Sequence, residues 1–133
     1  MALVLVIDDD ALMRATIRRM LTFHTVIEAS DGREGLAAFQ SRAPDVVITD
    51  ILMPEKEGIE TIIELRRVNR HVKIIAISGG GSSGTLDFLS SAKKLGADLV
   101  MQKPFRAVEL LAAVNSLSPG SDNSSNAIKK PGQ

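Results

Sequence analysis

The sequence predicts an α/β domain, a doubly wound five-stranded parallel sheet carrying five helices. Three observations predict it. Five short apolar runs, Leu3–Ile7, Thr25–Ala29, Val46–Thr49, Val72–Ile77 and Ala97–Met101, are rich in Val, Ile and Leu. They are nearly continuous rather than alternating, as strands covered on both faces are. Longer amphipathic stretches at about 11–23, 32–42, 58–70, 84–95 and 106–117 separate and follow them. Repeated strand–helix alternation requires crossover connections, hence a parallel sheet with helices on both faces.

In the first helix Met13, Ile17, Met20, Leu21 and His24 fall on one stripe, with His24 at the helix end. That position suits a packed or dipole-stabilising histidine better than a phosphodonor or ligand. Ser30 and Asp31 supply a start signal for the second helix, and Gly96 supplies a stop for the fourth. His71, among Arg66, Arg67, Arg70 and Lys73, reads as the solvated end of the third helix. In the last helix Val108, Leu111 and Leu117 are expected to form the core stripe. From Ser118 to Asn126 every residue is Ser, Pro, Gly, Asp or Asn, so 118–133 is expected to be a disordered tail or linker after a domain at 1–117.

Composition narrows the function classes. The 133 residues contain no cysteine, so disulfides and thiolate zinc sites are excluded. Lys plus Arg and Asp plus Glu are 16 each, which argues for neither nucleic acid nor an anionic membrane as partner. No apolar run approaches the roughly 20 residues that span a bilayer. The start MALVLVIDDD has no basic leader, so no signal peptide is expected, and a cytoplasmic location fits.

In open parallel sheets ligands bind beyond the carboxyl ends of the strands, where the strand order switches. Acids stand there: Asp8, Asp9 and Asp10 after the first run, Asp50 after the third. Asp10 reads equally well as a helix N-terminal charge. Gathered carboxylates repel one another, and a hard divalent cation such as Mg²⁺ resolves the repulsion. The fourth run ends on a hydroxyl, Ser78, and the fifth leads to an ammonium, Lys103. Carboxylate nucleophile, cation, hydroxyl and lysine together suit phosphoryl transfer.

The segments Leu5-Val6-Ile7-Asp8-Asp9-Asp10, Val46-Val47-Ile48-Thr49-Asp50-Ile51-Leu52-Met53-Pro54, Ile75-Ala76-Ile77-Ser78 and Lys103-Pro104-Phe105 resemble the receiver domains of response regulators, chemotaxis regulators among them. Ala29-Ser30-Asp31-Gly32, Glu34-Gly35-Leu36 and Gly96-Ala97-Asp98 match too, and the resemblance covers roughly residues 3–117. It implies a flavodoxin-like strand order 2-1-3-4-5 and a two-component phosphorelay. Asp50 would be the phosphoacceptor. Asp9 would bind Mg²⁺ (or Mn²⁺) directly, Asp8 mainly through water, with Asp50 and the Leu52 carbonyl completing the protein ligands. Ser78 and Lys103 would hold the phosphoryl group, Gly79 would leave access, and Lys103–Pro104 would be cis. A histidine kinase or histidine phosphotransfer protein would be the donor, and an output protein the receiver of the signal. The protein would be a switch rather than an enzyme, at most catalysing its own phosphorylation and dephosphorylation. It would be a monomer or a weak phosphorylation-dependent dimer, without direct nucleic-acid contact.

Two departures stand out. Receivers usually carry an aromatic three residues before the lysine; Val100 stands there. Rearrangement of the glycine-rich stretch Gly79–Gly84 is the expected substitute for an aromatic rotor. Glu57 replaces the usual Asp before Gly58. Leu12 is expected to face away from the core and, with Phe105, to form a small docking patch for the phosphodonor, Arg14 and Arg19 adding electrostatic steering. A stand-alone receiver and a receiver cut from a longer regulator or hybrid kinase both fit. A haloacid-dehalogenase (HAD)-like phosphatase using Asp8 as nucleophile is the alternative. It is disfavoured because Glu109 and Asp122 alone follow Lys103 among the acids, and they do not form the expected pair.

Overall fold

The apolar runs become strands of one sheet. The computed structural model describes residues 1–51, 57–79, 90 and 92–118. In chain order these form β1 (Leu3–Ile7), α1 (Ala11–Met20), β2 (Thr25–Ala29), α2 (Gly32–Arg42), β3 (Val46–Asp50), α3 (Glu57–Val68) and β4 (Lys73–Gly79). A helix described over 92–95, α4, then β5 (Leu99–Lys103) and α5 (Ala107–Leu117) complete the fold. All pairings are parallel and the order is β2-β1-β3-β4-β5, so the direction of winding reverses between β1 and β3.

Alternate side chains of each strand serve opposite faces. Leu5 and Ile7 of β1 pack with Phe39 of α2, Ile62 and Leu65 of α3 and Ala92 of α4. Val4 and Val6 pack with Ile17 and Leu21 of α1 and Leu110 and Val114 of α5. The central strands β1, β3 and β4 are therefore buried almost throughout, whereas the edge strands β2 and β5 leave Thr25, Glu28 and Gln102 exposed.

Helix ends follow the local chemistry. Asp31 accepts the Glu34 N–H at 2.8 Å, while the Glu34 carboxylate accepts the Ser30 N–H at 2.8 Å. Gly96, at φ 130°, ends α4: its N–H reaches the Lys93 carbonyl and the Ala97 N–H reaches that of Ala92, the paired bonds of a Schellman stop.

Some expectations need correction. The stretch read as helix to residue 23 leaves the helix after Met20, because Leu21 turns into the core as the C-cap. His24 thus lies in the turn beyond. Its Nδ1 accepts the Ala2 N–H and its Nε2 faces Asn115 Oδ1, each at 2.9 Å, so it is a packing residue tying β1 to α5. Val108 is 61% exposed and outside the core. The buried stripe of α5 is Leu110 and Val114, flanked by Leu111 and Leu117; Val108 lies two residues, about 200°, from Leu110. Ser118, assigned to the tail, is buried and closes α5 through its N–H to the Asn115 carbonyl. The remaining tail, most of the glycine-rich stretch and Leu52 lie outside the described residues.

Candidate functional site

Parallel register brings the singled-out side chains to one edge. Ile7 pairs with Thr49, Asp50 with Ile77, and Gly79 with Lys103, so the residues that end β1, β3, β4 and β5 sit side by side. Carboxylate oxygens of Asp8, Asp9 and Asp50 lie within 4.8 Å of one another. Lys103 Nζ stands 3.1 Å from Asp50 Oδ2 and 3.5 Å from Asp8 Oδ2. Asp8 and Asp50 are buried; Asp9 is exposed.

Each side chain is held by local structure. Asp8 continues β1, giving its N–H to the Ala29 carbonyl, and its Oδ1 accepts the Asp10 N–H at 2.9 Å. Asp10 points away to cap α1, accepting the Leu12 N–H at 3.0 Å, so it is the helix-capping acid and not a member of the cluster. Ser78 is buried, its hydroxyl donating to the Gly79 carbonyl at 3.3 Å. A methyl group at Gly79 would meet no described atom within 4 Å. The Lys103–Pro104 bond is cis.

The electrostatics show the strain of gathering these charges. Burial pushes the Asp8 carboxyl from its ordinary 3.8 up to about 6. The Asp10 N–H and Lys103 oppose that rise, and the Asp50 charge adds to it. Burial alone would lower the Lys103 pKa, but Asp50 and Asp8 outweigh it and the net shift is upward. One ammonium among three carboxylates leaves an excess of negative charge in a partly buried, all-oxygen donor set. That chemistry fits a hard divalent cation such as Mg²⁺.

Two residues matter more than their sequence context suggested. A Cβ at Gly58 would fall 2.2 Å from the Asp50 carbonyl oxygen and 2.3 Å from Ile51 Cα, so glycine lets α3 close directly against the end of β3. Its position four residues after Pro54 was the available signal. Arg14 is not a solvent-facing steering residue. Its side chain is 17% exposed, with Nε 3.0 Å from Glu28 Oε1 and Nη1 donating to the Asp8 carbonyl at 2.6 Å. The pair Arg14 and Arg18, one helical turn apart, opposite the single acid in the apolar run of β2, was the legible sign. Leu12 is 72% exposed as expected, whereas Phe105 is half-buried against the core shared by α1 and α5.

The cavities do not compete with this site. One of about 280 Å³ lies between α2 and α3, and one of about 300 Å³ lies by Pro44, His71 and Leu117; neither touches the carboxylates. Among the described residues no helix is long and apolar enough to cross a membrane.

Comparison with known proteins agrees with the fold. The family model for the response regulator receiver domain matches residues 4–115. The chemotaxis protein CheY of Thermotoga maritima is 34% identical over 118 residues, covering 86% of this chain and 96% of that protein. The response regulator MprA of Mycolicibacterium vanbaalenii is 35% identical over 86% of this chain, which spans 49% of MprA. The crystal structure of a response regulator receiver domain protein from Clostridium thermocellum superposes with a TM-score of 0.82 at 32% identity, covering 94% of this chain and 98% of that one. Relatives of near-equal length and relatives twice as long thus share one unit with this chain, and that unit carries the four strand ends just described. The chain belongs to the response regulator receiver domains of two-component signalling.

Proposed function

We propose that the protein accepts a phosphoryl group on Asp50 from a histidine kinase or histidine phosphotransfer protein and answers by changing its contacts with an output protein. The observation that carries this reading is the meeting of Asp50 with Asp8, Asp9 and Lys103 at one strand-end cluster. Asp9, Asp50, the Leu52 carbonyl and, less directly, Asp8 would hold Mg²⁺ (or Mn²⁺), which neutralises charge on the phosphoryl oxygens when bound. An Asp50 carboxylate oxygen attacks phosphorus, the O–P bond forms, and the P–N bond of the phosphohistidine breaks with its electron pair returning to the imidazole. Lys103, already beside Asp50, pairs with the transferred group, and the Ser78 hydroxyl turns from the Gly79 carbonyl to donate to it. Self-catalysed phosphorylation from small donors and hydrolysis by water use the same groups. The folded unit is 1–118, with 119–133 as tail or linker, acting in the cytoplasm as a monomer or weak dimer, without nucleic-acid contact.

Both Asp8 oxygens are engaged, Oδ1 by the Asp10 N–H and Oδ2 by Lys103, and no Asp8 surface reaches solvent. This disfavours Asp8 as the nucleophile of a phosphatase. Incubation with acetyl phosphate and Mg²⁺ followed by phosphopeptide mapping tests the assignment. Base-labile phosphate on Asp50, lost in Asp50→Asn, is expected; phosphate on Asp8, or retained at wild-type level in Asp50→Asn, overturns it.

A further inference from the structure

The Asp8–Asp9 peptide is held from behind by a side chain outside the cluster. β1 ends at Ile7, and β2 ends at Ala29, whose carbonyl takes the Asp8 N–H before the chain turns toward α2. The Asp8 carbonyl therefore passes the end of its sheet partner. Arg14 supplies the donor there, Nη1 to Asp8 O at 2.6 Å, from the second turn of α1. The guanidinium is itself fixed by Glu28, which accepts from Arg14 Nε at 3.0 Å and from Arg18 Nε at 2.8 Å.

We infer that Arg14, braced by Glu28, is a positioning residue for the cation site, acting through the Asp8–Asp9 peptide on the Asp9 carboxylate. The inference rests on reading the acidic cluster as that site. The physical reason is planarity: the Asp8 carbonyl and the Asp9 N–H belong to one rigid peptide unit. Fixing its oxygen fixes the direction in which Asp9 leaves the sheet. Asp9 needs this more than its neighbours, since Asp8 and Asp50 are locked by burial while Asp9 is exposed. The bidentate geometry that grips a carbonyl and a carboxylate together belongs to a planar guanidinium and not to an ammonium.

Positioning and plain electrostatics predict opposite signs. A cation near the site repels Mg²⁺, so charge alone makes removal of Arg14 tighten binding. Loss of positioning weakens it. Mg²⁺ affinity is measured by calorimetry on the full chain for wild type, Arg14→Ala, Arg14→Met, Arg14→Lys and Asp9→Ala, well below each melting temperature. Arg14→Met keeps an unbranched apolar stem and serves if Arg14→Ala does not fold. We expect about tenfold weaker binding in Arg14→Ala and Arg14→Met, the usual size of an outer support's effect, with partial recovery in Arg14→Lys. In the metal-free protein the Asp9 amide resonance shifts in Arg14→Met, reporting the loosened peptide directly. Unchanged or tighter Mg²⁺ binding in both neutral variants overturns the inference. A wild type that binds no Mg²⁺, or an Asp9→Ala variant that binds it unaltered, instead overturns the cation site, and the role of Arg14 falls with it.

Discussion

Asp8→Asn should make the metal-free protein more stable at neutral pH. The Asp8 carboxyl is buried, and its pKa in the fold is about 6 against an ordinary 3.8. Below pH 3.8 the group is protonated in both folded and unfolded chains and costs the fold nothing. As pH rises through about 6 the unfolded chain has already released its proton while the fold retains one, so stability falls. Above that window the loss is complete. A shift of roughly two pH units at 1.36 kcal/mol each makes it about 3 kcal/mol. Asparagine removes the charge and keeps the oxygen that accepts the Asp10 N–H. At pH 7.5 with a chelator, urea unfolding of Asp8→Asn should thus show a gain of about 2–3 kcal/mol, and the melting temperature should rise by roughly 5–10 °C. At pH 4 the difference should shrink toward zero. Added Mg²⁺ should stabilise wild type more than the variant, narrowing the gap from the other side. Because every other carboxylate is common to both proteins, their difference reports Asp8 together with its coupling to Asp50 and Lys103. Equal or lower stability of the variant at pH 7.5 without metal would refute the reasoning.

Other consequences are simpler. Leu12→Ala should slow phosphotransfer from the cognate kinase by roughly tenfold, about 1.4 kcal/mol, while acetyl phosphate labels the variant normally; equal losses with both donors would assign Leu12 to the fold rather than to docking. Gly58→Ala should lower the urea midpoint by an amount equivalent to about 2 kcal/mol or more and depress Asp50 phosphorylation, since the added methyl collides with the Asp50 carbonyl and the Ile51 backbone. Wild-type stability and labelling in that variant would show that the α3–β3 approach is not tight.

The strand cores were legible because β1, β3 and β4 are buried on both faces, which forces continuous apolar runs. Strand ends were less legible, for a reason tied to the site. The reading stopped at Thr49, Ile77 and Met101, whereas the backbone ladder runs on through Asp50, Ser78, Gln102 and Lys103. Polar residues stay in the ladder there because the site needs them rigidly placed. The start of β5 was misread from Ala97, an apolar residue whose N–H in fact closes the end of α4. The acids, Ser78 and Lys103 could be picked out as residues that follow strands. Their supports left fainter signs: Arg14 and Arg18 stand one turn apart, but only the fold brings Glu28 of β2 beside them, and the Gly58 contact depends on where α3 starts.

The same neighbourhood constrains how a signal can leave the site. Val100 is partly buried against the core cluster that includes Ala76, Ala92 and Ala97, and its short β-branched side chain cannot swing as an aromatic would. Ser78 and Lys103 lie on adjacent strands, one register step apart, Ser78 opposite Gln102 and Lys103 opposite Gly79. A group on Asp50 that engages both therefore acts on two strand ends at once. The Ser78 hydroxyl, with a single O–H donor, must give up the Gly79 carbonyl to do so. Lys103 carries three N–H donors, so it can turn to such a group while keeping Asp8. On the proposed function, the change then falls on the end of β4, where Ser78 gives up its bond to the Gly79 carbonyl, and not on position 100.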